Sequence, residues 1–551
     1  MKSSKLKKLC AVLMTATIGL SLFTGCGAEK ADDPKHLIFN LGEDPETIDP
    51  TLNTSSGAGT IIINAFEGLM SLDENEKPIL GAASDMQVSD DNLVYTFTIN
   101  ENAKWSDGVD LTANDFAYSW KRALDKKTAA EYSYQLFYIK NAEKYYNGQA
   151  TEEELGIKVI DEKTLEVTLE SPTSYFTQLL SFPTYMPLRE DIVSANSDTW
   201  ATKVETYVSN GPFKLTKWDM KDQLVFEKNE NYWDASNVKL DKLTYKLVTD
   251  LGSSYASLKA GDFDMIDSVP PAEIENAKKD GLADIKVELG TYFFAVNVGK
   301  QDGISNEDAK KALSNKLVRQ ALALAIDRQA IIDNVGKADQ IPAYSFVPQG
   351  IFNEDGSEFS SKEYFNPTEG AVEANREKAK ELLKEAGYPN GEGLPTFELI
   401  YNTEGSHKDV CQLVQQDWAE IGVTVELQNE EWAVFLNTRQ NGDYQIARHA
   451  WIGDYVDPMT FLDMWVTGGG NNDCGFSNAE YDKLIADAKV ETDTVKRQEM
   501  LRKAEDILMD EMPIIPIYYY TKVRGVKPSV KGIQCTALGK VYFKNAYKEA
   551  N

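Results

Sequence analysis

Short stretches of the chain alternate apolar and polar residues. Leu93-Val94-Tyr95-Thr96-Phe97-Thr98-Ile99 places Leu, Tyr, Phe and Ile on one side, and Leu165/Val167/Leu169 and Leu243/Tyr245/Leu247 repeat the pattern. A period of two with one apolar side predicts half-buried strands. Elsewhere the spacing is helical: Val318, Ala321, Leu322, Ala325 and Ile326 form one stripe, and Val410, Leu413, Val414, Trp418 and Ile421 another, with Gly422 placed to end that helix. Glu373 to Ala386 reads as a helix with Glu377/Lys380 and Glu381/Lys384 pairs, closed by Gly387 and Pro389, and its charges are a solvated face. Val423 to Leu427 follows the Trp418 helix as a strand, a helix-to-strand step that suits an α/β lobe. The stretch from Tyr444 to Phe476, rich in Tyr, Trp and Gly, reads as long loops, which in compact proteins tend to carry function. No tandem repeat or low-complexity block interrupts the mixture.

Length changes the picture first. With 551 residues the chain exceeds one core, so two or three domains are expected. A formal charge of −30 excludes a nucleic-acid binder, which needs a positive field against phosphate. The N-terminus is the exception to the acidity. Lys2, Lys5, Lys7 and Lys8 precede the uncharged run Leu9 to Phe23, which is shorter than the ~20 residues of a spanning helix and reads as an export signal. It ends in Leu22-Phe23-Thr24-Gly25-Cys26, which resembles a bacterial lipobox with Phe23 in place of the usual Leu. That resemblance implies diacylglycerol on Cys26, a signal peptide over 1–25 and a flexible tether over 26–36. The alternatives are a plain secretory signal cut near Gly25 or Gly27, or a retained anchor. Cys10 leaves with the signal, and Cys411, Cys474 and Cys535 remain, without metal-ligand spacing and with one disulfide possible.

Catalytic patterns are missing. The only histidines are His36, His407 and His449, with no His-Glu-x-x-His and no Gly-x-Ser-x-Gly. Gly468-Gly469-Gly470 lacks the spacing of a dinucleotide site. An enzyme, a metal site and a cofactor are therefore not expected. An exported hydrolase built on two scattered carboxylates stays open as a rival.

An ordered series of motifs carries the strongest signal. It runs Gly42-Glu43-Asp44-Pro45-Glu46-Thr47-Ile48-Asp49-Pro50, Phe66-Glu67-Gly68-Leu69, Trp105-Ser106-Asp107-Gly108, Thr112 to Arg122, Ser209-Asn210-Gly211-Pro212-Phe213, Asn231-Tyr232-Trp233-Asp234, Val318-Arg319-Gln320-Ala321-Leu322 and Ala325-Ile326-Asp327-Arg328. Over the whole mature chain this resembles the family 5 solute-binding proteins, the oligopeptide-binding proteins of ABC importers. The resemblance implies a mixed α/β fold of the type II periplasmic-binding-protein kind, in which two lobes close by a hinge on the ligand and an extra domain is inserted. By position, lobe I would comprise 37–66, 208–290 and 521–551, inserted lobe II 67–207, and lobe III 291–520. Implied partners are short peptides, a permease and ATPase complex, and the membrane through the lipid anchor, on the extracytoplasmic face. A monomer is expected.

The same resemblance implies site residues. In Ala447-Arg448-His449-Ala450-Trp451-Ile452-Gly453-Asp454-Tyr455-Val456-Asp457-Pro458 the aspartate that meets the peptide α-ammonium falls on Asp454. An ammonium entering a closed cleft loses water and needs a carboxylate. Arg448, Arg439 and His407 match positions that receive the peptide carboxylate, and staggered cations would accept different lengths. Trp432, Trp451, Tyr132 and Ile452 are candidate walls. Asn210 and Gly211 lie where an extended peptide would hydrogen-bond as an added strand. Acidic residues that line the cleft in peptide binders fall on Thr54 and Ala295, and a cysteine pair of some relatives falls on Gly290 and Ile452. Rival ligands are dipeptides, nickel chelates, haem or an opine, and a rival role is that of a peptide-signal receptor or adhesin.

Overall fold

The computed structural model describes residues 33–549 apart from 43–44, 46, 354–355, 361, 367–369 and 404. The export signal, Cys26 and most of the tether lie outside the described residues, as do three acids of the Gly42 to Pro50 motif.

The chain opens with strand β1 (His36–Asn40) and helix α1 (Ser56–Ala65), whose N-cap Ser55 accepts the Ala58 N–H. It then builds a separate unit. The short pair β2 (Met70–Leu72) and β3 (Pro78–Leu80) leads into β4 (Ala83–Val88) and β5 (Val94–Ile99). Helix α2 (Ala113–Leu124) starts at a Thr112/Asp115 capping box. Strands β6 (Ile157–Asp161) and β7 (Thr164–Thr168) complete an antiparallel sheet in the order β4-β5-β7-β6. The alternation predicted over 93–99 is realised there, with Tyr95, Phe97 and Ile99 buried.

The chain returns through β8 (Phe213–Asp219), β9 (Gln223–Lys228), β10 (Lys242–Lys246) and the short β11 (Met265–Ile266) to a long strand, β12 (Ala283–Val296). Helix α3 (Lys316–Ala325), the short β13 (Ile341–Pro342), β14 (Phe397–Asn402), α4 (His407–Ala419), β15 (Val425–Glu430), α5 (Trp432–Asn441), β16 (Ile446–Ile452) and α6 (Thr494–Glu511) form the next unit. The second long strand, β17 (Ile514–Val526), leads back. One sheet holds both large units, in the order β15-β14-β16-β12-β17-β11-β1-β10-β9-β8, with β13 beside β17. Among these strands only β12 and β17 run through both halves.

These two strands pair antiparallel with a break. Val287 faces Thr521 and Thr291 faces Tyr519, so Glu288, Leu289 and Gly290 stand opposite Tyr520 alone. A bulge disrupts the ladder and bends the strand locally. It lies between the two halves of the sheet, where backbone pairing of the two long strands lapses.

Two crossover segments join the inserted unit to the first one. They are tied by Asn210, whose Oδ1 accepts the Glu67 N–H (3.1 Å) and whose Nδ2 donates to the Glu67 carbonyl (2.8 Å). Gly211 donates its N–H to the Ala65 carbonyl at 2.7 Å, and a Cβ there would sit 2.7 Å from that same peptide group. Asp49 adds a second tie, paired through both oxygens with Arg122 of α2 (3.1 and 2.7 Å) and accepting the Trp200 Nε1–H at 3.0 Å.

Candidate functional site

The stretch expected to be loop contains β16, paired with β12 from Ile446↔Val296 to Ile452↔Gly290. On its other edge β14 pairs only with Ile446 and Ala447 among the described residues, so the edge from Arg448 onward is not laddered there. Ala450 N–H at that edge donates to His449 Nδ1 at 2.8 Å. Strand alternation sends Arg448, Ala450 and Ile452 to one face and His449 and Trp451 to the other.

Arg448 is 9% exposed, and its guanidinium lies 5.0 Å from the centre of the Tyr292 ring. Its polar contacts are long: Nη1 to Asn402 Oδ1 at 3.5 Å and Nη2 to the Tyr520 hydroxyl at 3.4 Å. Its Nε is shielded without an acceptor, and among the described residues no carboxylate pairs with it. A buried cation in this condition has lost water without receiving a counter-charge. His407, at the first turn of α4, shares its Nδ1 with the Tyr292 hydroxyl at 3.2 Å. Burial and the nearby Arg448 charge lower its pKa to about 4. His407 is therefore neutral near pH 7 in this arrangement, and toward a carboxylate it would act as a hydrogen-bond donor.

Arg439 departs from expectation more strongly. Its Nε donates to Asp473 at 2.6 Å, and His449 Nε2 lies 3.5 Å from the same Asp473 oxygen. His449 stacks on Phe293 at 4.5 Å, on the side of the sheet away from Arg448. Arg439 is already paired with the Asp473 carboxylate, although the Arg448 charge also reaches it. The Asn210 side-chain amide and the Gly211 N–H are committed to the crossover, while the Asn210 main-chain N–H and carbonyl make no backbone hydrogen bond among the described residues.

Asp454 follows β16 in a loop fixed from several sides. Gly453 donates its N–H to the Leu289 carbonyl of the β12 bulge at 2.8 Å, and a Cβ on Gly453 would lie 2.9 Å from the end of the Leu289 side chain, which would have to shift. Asp454 N–H donates to Thr460 Oγ1 at 3.0 Å. Asp457 is clamped by both Arg497 Nη groups, each at 2.8 Å, and Tyr455 stacks on Tyr175 of the inserted unit at 4.4 Å. The Asp454 carboxylate itself has no hydrogen bond or cation among the described residues. Loss of water, and next the negative charge of Asp463, raise its pKa to about 6. It borders a cavity of ≈ 40 Å³ shared with Phe182 and Tyr455, room for about one water-sized group, and an ammonium is of that size.

Tyr132 belongs to the same neighbourhood: burial and then the Asp454 charge raise its pKa, and its ring packs on Phe182 at 5.4 Å. Trp451 is half-buried with an unpartnered Nε1–H, while Trp432 and Ile452 stand 46% and 42% exposed. Thr54 is exposed and Ala295 fully buried, so neither restores a cleft carboxylate. Cys411, Cys474 and Cys535 are free thiols. Tyr292, Tyr518 and Tyr520 were not singled out from sequence, although Tyr292 and Tyr518 stack at 4.8 Å beneath Arg448. The Tyr518-Tyr519-Tyr520 run was the available signal.

The family model for "Bacterial extracellular solute-binding proteins, family 5 Middle" matches residues 77–473. The chain is 38% identical over 534 residues to the oligopeptide-binding protein OppA of Bacillus subtilis, covering 95% of each. It is 34% identical over 555 residues to the periplasmic oligopeptide-binding protein OppA of Salmonella typhimurium, covering 99% of this chain and 98% of that one. Among solved structures, the unliganded open form of the murein tripeptide binding protein MppA matches with a TM-score of 0.81 at 31% identity, over 94% of this chain and 98% of that one. The complex of Haemophilus influenzae OppA with RPPGFSPFR matches with 0.70 at 31% identity, over 94% and 99%. Sequence, fold and coverage agree: the chain belongs to the family 5 bacterial extracellular solute-binding proteins.

Proposed function

We propose that this protein captures short peptides outside the cytoplasm and hands them to the permease and ATPase of an ABC importer. One observation carries the reading. A buried cation, Arg448, and a shielded carboxylate, Asp454, stand six positions apart on one strand and its following loop, each without a partner of opposite charge. A free peptide is the complementary object, with an ammonium at one end and a carboxylate at the other. Six residues of extended chain span at most about 20 Å, which suits extended peptides of a few residues. His407 would hydrogen-bond the carboxylate, Tyr132, Trp432, Trp451 and Ile452 would wall the cleft, and the unladdered edge of β16 would pair with peptide backbone.

On this reading the Glu288–Gly290 bulge opposite Tyr520 is the hinge, so lobe I comprises 37–66, 208–290 and 521–551, lobe II 67–207 and lobe III 291–520. The protein acts as a monomer, without catalysis, held at the membrane by lipid on Cys26. Calorimetry with a ladder of free, N-acetylated and C-amidated peptides tests the reading. Binding of free peptides, weakened by blocking either end, with a raised melting temperature and a more compact scattering profile, is the expected result. Equal binding of blocked and free peptides, or no binding of any, overturns it.

A further inference from the structure

Glu288 is a carboxylate that nothing above uses. It opens the bulge of β12, where backbone pairing with β17 lapses. The neighbours in the bulge are committed. Leu289 donates to Ala537 and accepts from Gly453, and a Cβ on Gly290 would meet Ile452 at 2.3 Å and the Tyr520 ring at 3.0 Å. Glu288 reaches toward a different surface: a Cβ added to Gly539 would lie 3.3 Å from its carboxylate oxygen and 3.5 Å from Ser56 Oγ. Ser56 is exposed, so the carboxylate lies at an opening between the hinge strands and the start of α1. Tyr520, which holds the Arg448 guanidinium, also feels the Glu288 charge.

Among the described residues Glu288 makes no hydrogen bond and no ion pair. The nearest cations are spent elsewhere: Lys522 pairs with Asp267 at 2.7 Å, and Arg524 pairs with Asp267 at 3.2 Å while donating to the Gly539 carbonyl at 2.8 Å. Loss of water raises the Glu288 pKa in spite of both, so their charge does not make up for its burial. The group is a half-buried anion beside Gly539 and Ser56, within electrostatic reach of the Tyr520 that contacts Arg448, and short of a counter-charge.

We propose that Glu288 is a specificity residue that receives the cationic side chain, lysine or arginine, of a bound peptide. The inference rests on the peptide-binding reading. It makes the protein selective for cationic peptides rather than indifferent to side chains.

The test uses tetra-alanine and its four single-lysine and four single-norleucine variants, titrated calorimetrically into the wild-type protein and Glu288→Gln. Norleucine keeps most of the lysine stem and removes the charge. The expected result is one position at which lysine binds wild type at least about tenfold tighter than norleucine, with that preference gone in Glu288→Gln. Tetra-alanine should bind both proteins within about twofold, which separates lost selectivity from damaged folding. Tetra-alanine binding with no lysine preference in wild type, or the same preference in both proteins, overturns the proposal alone. No binding by any peptide to either protein overturns the peptide reading and the proposal with it.

Discussion

Asp454→Asn separates the site from its alternatives because it moves stability and affinity in opposite directions. The carboxyl titrates near 6 instead of its ordinary 3.8, which costs the ionised form on the order of 3 kcal/mol, and partial contact with solvent reduces this to about 1–2 kcal/mol. The sign follows from linkage. A folded-state pKa above the unfolded one means that the folded protein holds its proton more tightly. Ionised Asp454 therefore destabilises the unliganded protein above pH about 6, and the penalty fades as pH falls from about 6 toward 4. Asparagine keeps the shape and removes the charge. Unliganded Asp454→Asn should melt a few degrees above wild type at pH 7.5, with the difference vanishing near pH 4. Affinity for a free-amine peptide should fall at least about tenfold, since a charge-assisted hydrogen bond contributes ~1.5–3 kcal/mol. An N-acetylated peptide should bind wild type weakly and the mutant equally weakly. Scanning calorimetry across pH and titration calorimetry at pH 7.5 read both effects. A lower melting temperature in the mutant, or equal losses for free and acetylated peptides, would refute the reasoning.

Other consequences are independent of that variant. Arg448→Met should cost free-carboxylate peptides at least about tenfold in affinity and leave C-amidated ones within about twofold; because Arg448 helps to depress His407, the His407 imidazole should titrate higher in the mutant, as read by NMR. Asn210→Ala leaves both Glu67 backbone groups unpaired at the crossover, so stability should drop by about 2–4 kcal/mol while peptide affinity holds; unchanged melting with lost affinity would return Asn210 to the cleft. Cys26→Ala should release the protein from membranes or leave it unprocessed, and unchanged fractionation would remove the lipid anchor.

Sequence patterning reached the elements whose two sides differ. Val94 to Ile99 and Thr164 to Thr168 are strands with one buried side, and their alternation says so; Lys242 to Lys246 is also a strand, although Thr244 on its other side is buried too. β16 reads as loop from sequence because Ile446-Ala447-Arg448-His449-Ala450-Trp451-Ile452 is largely enclosed on both faces and carries polar residues. A strand of that kind has no alternation to read. β17, buried continuously from Ile514 to Tyr519, is silent for the same reason. Asp454 and Arg448 were legible only through the ordered motifs around them. What sequence could not supply was partnership. The carboxylate that occupies Arg439 is Asp473, 34 positions away, and the burial that neutralises His407 depends on a strand more than a hundred residues earlier. Local spacing encodes neither.

The arrangement bears on why closure is coupled to ligand. On the proposed reading both end-group charges belong to one half of the molecule, on β16 and its following loop, so a peptide would meet them before the halves approach. The described arrangement joins the C-proximal and inserted units at Tyr455 and Tyr175 while leaving other apolar side chains outside. In that state Tyr134, Trp432 and Ile452 remain 44%, 46% and 42% exposed. Burying about 100 Å² of apolar surface contributes about 2.5 kcal/mol, so enclosing a few such side chains over a peptide is enough to shift an open-to-closed balance of a few kcal/mol. Without a peptide the same closure would bring Arg448 and Asp454 into a drier cleft with no counter-charge, and their desolvation opposes the apolar gain. The two partnerless charges thus act against empty closure, and a molecule carrying one ammonium and one carboxylate removes both obstacles at once.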